Sequence, residues 1–195
     1  MRDIVKQAVA LFIICIVVSA TLAFTYSVTR EKIEDRARMD AEAARKEVLA
    51  SAETFEKLEA PTQHNSALSQ VKEAYKGMKA NETKGYVFLV ETKGYGGIMK
   101  ITVGVGTKGE ITGMKIGQNN ETPGLGTKAA EAPFRTQLIG IRPSVPLKVI
   151  KVGKTKPEEV EAISGATITS RAVVEAVQAA IDMSVRLARG EGTAK

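Results

Sequence analysis

From Gln7 to Thr29 the chain carries no charged side chain, and this run limits the fold more than any other feature. Its centre reads Ala8-Val9-Ala10-Leu11-Phe12-Ile13-Ile14-Cys15-Ile16-Val17-Val18. About 23 helical residues rise ~34 Å, enough to cross a hydrocarbon core about 30 Å thick. A buried core helix would be shorter and amphipathic. A cleaved signal peptide would have a shorter apolar region before a small-residue site. Ser19-Ala20 and Leu22-Ala23 imitate such a site, but the run is long for one, so the reading adopted is an uncleaved anchor. Charge does not orient it. Arg2 and Lys6 flank one end, and Arg30, Lys32, Arg36 and Arg38 flank the other. The rule that Lys and Arg stay inside does not govern long translocated domains.

The 195 residues leave room for one domain beside that anchor. A net charge of +6 is compatible with an anionic membrane surface or nucleic acid. Nucleic acid is the weaker reading, because Lys and Arg are interleaved with Asp and Glu and no nucleic-acid-binding motif is present. Cys15 is the only cysteine and His64 the only histidine. These counts exclude an intramolecular disulfide and a four-Cys iron–sulfur cluster, and they argue against a His/Cys zinc site. No metal site is expected. His64 lies in the loop-like Pro61-Thr62-Gln63-His64-Asn65 and reads as a solvated loop residue.

Beyond the anchor, alanines at 37, 41, 43, 44, 50 and 52 predict a helix from Glu31 to about Leu58, a stalk at the membrane surface. Pro61 to Ser69 reads as a linker and Leu68 to Met78 as a short helix. From Gly85 the period becomes that of strands. Tyr86 to Glu91 is a buried strand candidate. Ile98 to Val103 alternates, with Met99, Ile101, Val103 and Val105 on one face, and Glu110 to Ile116 follows Thr107-Lys108-Gly109. This is a β-meander. Leu147 to Val152 is a further strand, and Pro157 to Glu161 a turn or short helix. Two nucleotide-site imitations fail. Gly104-Val105-Gly106-Thr107-Lys108-Gly109 leads into a strand rather than a helix. Gly153-Lys154-Thr155 lacks the first glycine of a phosphate loop.

Arg171 to Leu187 reads as a helix, with Val173, Val177, Ala180, Ile181 and Ser184 on one face. Thr169 or Ser170 is the expected N-cap. Ser164-Gly165-Ala166-Thr167 therefore arrives at a helix N-terminus, where an anionic group such as a phosphate is stabilised. Read structurally, the same residues are a capped helix after a turn. Two other stretches have loop chemistry. Glu121-Thr122-Pro123-Gly124-Leu125-Gly126-Thr127-Lys128 combines a fixed proline φ with two glycines, and Gly94-Tyr95-Gly96-Gly97 turns the chain between strands.

These three stretches, in this order, resemble the FMN-binding domain family, and their spacing is similar to that of the G subunits of Rnf electron-transport complexes. The near relatives are the C subunits of Na+-translocating NADH:quinone reductases. Glu161 stands where Asp is commoner in the family. The resemblance implies an α+β fold: a single transmembrane helix, then an extracytoplasmic FMN-binding domain with a largely antiparallel sheet and flanking helices. The implied division is 1–29 tail and anchor, 30–60 helical stalk and 61–195 FMN-binding domain. It implies covalent FMN, joined by a phosphoester to Thr167 through a flavin transferase that uses FAD and releases AMP. Ser164, Gly165, Ala166 and Thr169 would shape the phosphate end. Glu121, Thr122, Gly124, Leu125 and Lys128 would line the pocket, with Tyr95 and Gly96 close by. The implied function is electron transfer between ferredoxin and NAD, coupled to Na+ or H+ movement, within a complex of membrane and cytoplasmic subunits. The setting is a bacterial or archaeal cell membrane. The alternatives are a quinone-reductase C subunit and a non-redox, membrane-anchored binding or assembly module.

Overall fold

The computed structural model describes residues 2–58 and 68–190. The expectations placed on His64 and on the 61–67 part of the linker lie outside the described residues. The chain divides into two compact units, Met1–Ala43 and Ala44–Lys195. The first is helical throughout its described length and belongs to α1, Arg2–Val48. Its apolar side chains, among them Leu11, Phe12, Ile14 and Leu22, are exposed. The helix is long and apolar enough to cross a membrane, and it is a single-pass anchor. Thr21, Thr25 and Thr29 each donate a hydroxyl hydrogen to the carbonyl four residues back. This satisfies polar side chains that a bilayer could not.

The second unit is built on a five-stranded antiparallel meander in the order β1-β2-β3-β4-β5. Its strands are β1 Thr54–Leu58, β2 Val71–Lys79, β3 Glu82–Lys93, β4 Ile98–Gly106 and β5 Ile111–Ile116. After the meander come a 3-10 turn, Gly126–Ala130, the short α2, Ala132–Arg135, and a parallel pair, β6 Lys148–Ile150 and β7 Glu159–Glu161. The closing helix is α3, Thr167–Ala188. The alternation read in β4 holds: Met99, Ile101, Val103 and Val105 are all buried. Together with Phe88 and Val90 they face Val173, Val177, Ala180 and Ile181 of α3. The predicted helical face of α3 is buried for the same reason, and Ser184 within it donates its hydroxyl hydrogen to the Ile181 carbonyl.

The opposite face of the sheet receives the last turn of α1. Val48, Leu49 and Ala52 form a second core with Val87, Phe55 and Tyr75. The helix end comes this close because glycines pave the sheet beneath it. Gly104 pairs with Gly113 across β4 and β5. A side-chain carbon on Gly113 would sit 2.9 Å from Val48 Cα, and one on Gly104 would press on the Val48 carbonyl. That carbonyl, left without a partner where the helix stops, accepts a bond from Thr112 Oγ1 at 2.6 Å. Glu47 pairs with Lys115 at 2.7 Å and Arg135 at 3.5 Å. The Lys115 hydrogen bond holds its carboxyl below the ordinary carboxylate range.

Five readings of the sequence are corrected. The helix predicted to Leu58 ends at Val48, and Thr54–Leu58 is a strand. Pairing with β2 overrides the local preference of Ala50 and Ala52. Leu68 to Met78 is not a helix but a 3-10 turn at Leu68–Gln70 followed by β2. A β-bulge between Val71 and Glu73 puts Val71 and Ala74 in the same core, so a strand acquires a three-residue period. Glu159–Glu161, read as a turn or helix, is β7, and the strand expected over Leu147 to Val152 is confined to Lys148–Ile150. The N-cap of α3 is Ala166, so Thr169 and Ser170 lie inside the first turn.

Candidate flavin attachment site

Thr167 is the first residue of α3, and no side chain caps the helix. The first N–H groups of a helix have no partner within it, so they face a ligand or solvent. Gly165 adopts φ +78, the left-handed conformation that favours glycine, and this turns Ser164-Gly165 outward. Both are exposed, Ala166 is buried and Thr167 half-buried. Ser170, which sequence reasoning treated only as a cap, braces the turn from behind. Its Oγ accepts the Ile163 N–H at 3.0 Å and donates to the Ala166 carbonyl at 2.9 Å.

The other two stretches meet this turn at one carboxylate. Glu121 is only 5 % exposed. Its Oε2 accepts the Thr169 hydroxyl at 2.6 Å, and its Oε1 accepts the Gly96 N–H at 2.9 Å. Side-chain carbons on Gly94 or Gly126 would collide with the same carboxylate. Glu121 was expected to line the pocket. Both of its oxygens accept hydrogen bonds from the protein. Asn119 supports it: its side-chain oxygen accepts the Glu121 N–H at 3.1 Å. Sequence reasoning passed over Asn119, although an Asn two residues ahead of the group it bonds is an Asx-turn signal.

The 121–128 loop folds on itself. Thr122 O accepts the Leu125 and Thr127 N–H groups, and Thr127 Oγ1 accepts the Gly124 N–H at 3.0 Å. Thr122 and Gly124 are exposed, and so is Leu125, whose side chain reaches Gly165. Leu125, Ile168 and Tyr95 are large apolar groups left in solvent. They follow respectively Gly124, the candidate acceptor Thr167, and the Gly94 that packs on Glu121. Lys128 is exposed and makes no ion pair among the described residues.

Glu161 has a separate role. Its Oε1 accepts the N–H groups of Gly153 and Lys154 at 2.8 and 2.9 Å. Those amides hold its carboxyl below the ordinary carboxylate range. Gln137 adds two bonds to the Glu161 backbone. Glu161 thus anchors the loop before β7, three residues ahead of Ser164. The Gly104–Gly109 imitation ends β4 and turns into β5, opening no helix.

A graded loss is expected in the 121–128 loop. Gly124 has φ +74 with open space around it, so Gly124→Val fails through backbone strain rather than crowding, at about 1–2 kcal/mol. It should lower the flavin content of the purified protein, whereas Lys128→Ala should lower it less. Equal and full loading in both variants would reduce the loop to a turn.

The FMN-binding domain family matches residues 94–182, and the RnfG N-terminal region matches residues 1–48. The G subunit of the Na(+)-translocating ferredoxin:NAD(+) oxidoreductase complex of Acetobacterium woodii is 35% identical over 198 residues, covering 96% of this chain and 95% of that protein. The proton-translocating counterpart from Clostridium ljungdahlii is 34% identical over 149 residues, covering 76% and 80%. Among solved structures, NqrC of Shewanella oneidensis shares the fold, with a TM-score of 0.53 at 18% identity over 67% of this chain and 70% of that one. On the end-to-end match with such G subunits, joined to an anchor and an FMN-binding domain in one chain, this protein belongs to the RnfG family.

Proposed function

We propose that this chain is the membrane-anchored electron carrier of an Rnf-type ferredoxin:NAD oxidoreductase complex, coupled to Na+ or H+ translocation, with FMN joined by its phosphate to Thr167. The observation that carries the proposal is the placement of Thr167. It is a half-buried hydroxyl on the first residue of an uncapped helix, in a turn that Gly165 opens. The family match to an FMN-binding domain supplies the cofactor.

The residues present fit that group. A phosphodiester keeps one negative charge, which the N–H groups and dipole of the first turn of α3 stabilise. Leu125, Ile168 and Tyr95 offer exposed apolar surface to a flat ring. When bound, FMN supplies the electron chemistry, and the protein orients it and tunes it. Attachment itself asks little of this chain. The Thr167 oxygen bonds to the FMN-side phosphorus of FAD, the pyrophosphate bond breaks, AMP leaves and the hydroxyl proton passes to the transferase or solvent. Mg2+ and any base belong to the transferase. A site without a histidine is consistent with that division.

Ferredoxin and NAD are assigned to other subunits, because this chain has neither cluster ligands nor a dinucleotide fingerprint. Relatives named for Na+ and for protons match at nearly equal identity, and we attribute the choice of ion to those subunits as well. We infer an extracytoplasmic domain, a reading that the resemblance of the sequence motifs supports.

Two measurements test the reading. Mild detergent extraction should recover the chain with other membrane subunits and a visible flavin spectrum that bleaches on reduction; isolation alone and colourless would refute the carrier role. A reporter fused after Lys195 should give an extracytoplasmic signal, and a cytoplasmic one would overturn the topology.

A further inference from the structure

We propose that Glu121 is a positioning residue that fixes the first turn of α3 and so decides where the Thr167 hydroxyl points. The inference rests on Thr167 being the attachment site. Its physical basis is a buried carboxylate whose hydrogen bonds come from two separate segments. Carrying a carboxylate into the interior is unfavourable unless donors meet it. Here the donors are the Thr169 hydroxyl and the Gly96 N–H, and no cation pairs with it among the described residues. Gly94 and Gly126 leave the space the carboxylate fills. The result is one link joining the 94–97 turn, the 121–128 loop and the first turn of α3.

The link acts on Thr167 through helix geometry. Successive residues turn by about 100°, so side chains two apart diverge by about 200°. Holding Thr169 inward, at 1 % exposure, directs Thr167 outward, where a transferase can reach it. Without the link, Ser170 still braces the turn, so the helix forms but its first turn gains rotational freedom. Thr167 would then meet the transferase in several orientations instead of one, and attachment would slow. Gly96 would lose its acceptor, and the turn bearing Tyr95 would loosen with it.

The test uses the full chain in detergent, incubated with a flavin transferase, FAD and Mg2+, with intact mass followed over time. Thr169→Val and Glu121→Ala should each slow FMN incorporation by about 10- to 100-fold, the range expected for losing a hydrogen bond to a charged group. Thr169→Ser restores the donor and should recover most of the rate, which a merely destabilised helix would not do. The double variant should be no slower than Glu121→Ala, since both changes break one link. Wild-type rates in Thr169→Val, or a Thr169→Ser as slow as Thr169→Val, would overturn the proposal. Amide hydrogen exchange gives a readout that needs no flavin. Protection at Gly96 should fall in Glu121→Ala and survive in Glu121→Gln, whose side-chain oxygen can still accept; unchanged protection in Glu121→Ala would also overturn it. If the wild type never gained the mass of FMN, the attachment reading would fall, and the exchange data would still decide whether Glu121 holds Gly96.

Discussion

Thr167→Val should abolish covalent flavin completely. Valine keeps the β-branched shape but has no oxygen to join phosphorus. Thr167 is already inside α3, and Ala166 rather than a hydroxyl residue occupies the cap position. A capping contribution, about 1 kcal/mol where a side chain makes one, is therefore not at stake, and the domain should stay folded. Intact mass after co-expression with a flavin transferase should show the bare chain, and electron flow through the assembled complex should stop. Thr167→Ser keeps a nucleophile and should load in part. Thr169→Val separates the two threonines. It removes the bond to Glu121 and should slow loading without moving its site. FMN found on Thr167→Val and missing from Thr169→Val would identify Thr169 as the acceptor instead.

The second large effect is on stability and lies on the opposite face of the sheet. Gly104→Val would place a branched side chain against the end of α1, where even a single carbon meets the Val48 carbonyl carbon at 2.8 Å. The obstacle is backbone, which cannot rotate away. Either the helix end lifts off the second core or the sheet bends, and overpacking of this kind costs about 3 kcal/mol. That is a large part of the roughly 5–15 kcal/mol typical of a folded domain. Lifting the helix end also breaks the Thr112 bond to the Val48 carbonyl and separates Glu47 from Lys115. Chemical unfolding of the detergent-solubilised chain should show a clear fall in midpoint for Gly104→Val. The fall for Gly117→Ala should be smaller, because the nearest atom to its new carbon is 3.3 Å away. Similar midpoints in both would mean that the glycine seat tolerates displacement.

The apolar run was readable from its uncharged length, and β4 and the buried face of α3 because each has an undisturbed period set by one burial direction. β2 misled because a bulge shifts its alternation, leaving Leu68, Val71 and Ala74 at a spacing that imitates a helix. The strand at Thr54–Leu58 was hidden behind alanines whose helical preference loses to pairing with β2. At the site, the three loops could be identified by resemblance and by their glycines. What joins them could not, because Thr169 and Glu121 are 48 residues apart and nothing local marks them as partners. Their contact follows from α3 crossing the meander, a tertiary consequence. For the same reason the two protein donors to Glu121, Gly96 N–H and the Thr169 hydroxyl, could not be read from sequence.

In the native protein FMN should be covalently fixed to Thr167. The most direct measurement is peptide mapping of the chain purified from membranes and fully denatured before digestion. The flavin should remain with the polypeptide, and the mass of FMN should map to Thr167 in the peptide containing Ser164 to Arg171. Flavin that separates on denaturation, leaving that peptide at its unmodified mass, would contradict it.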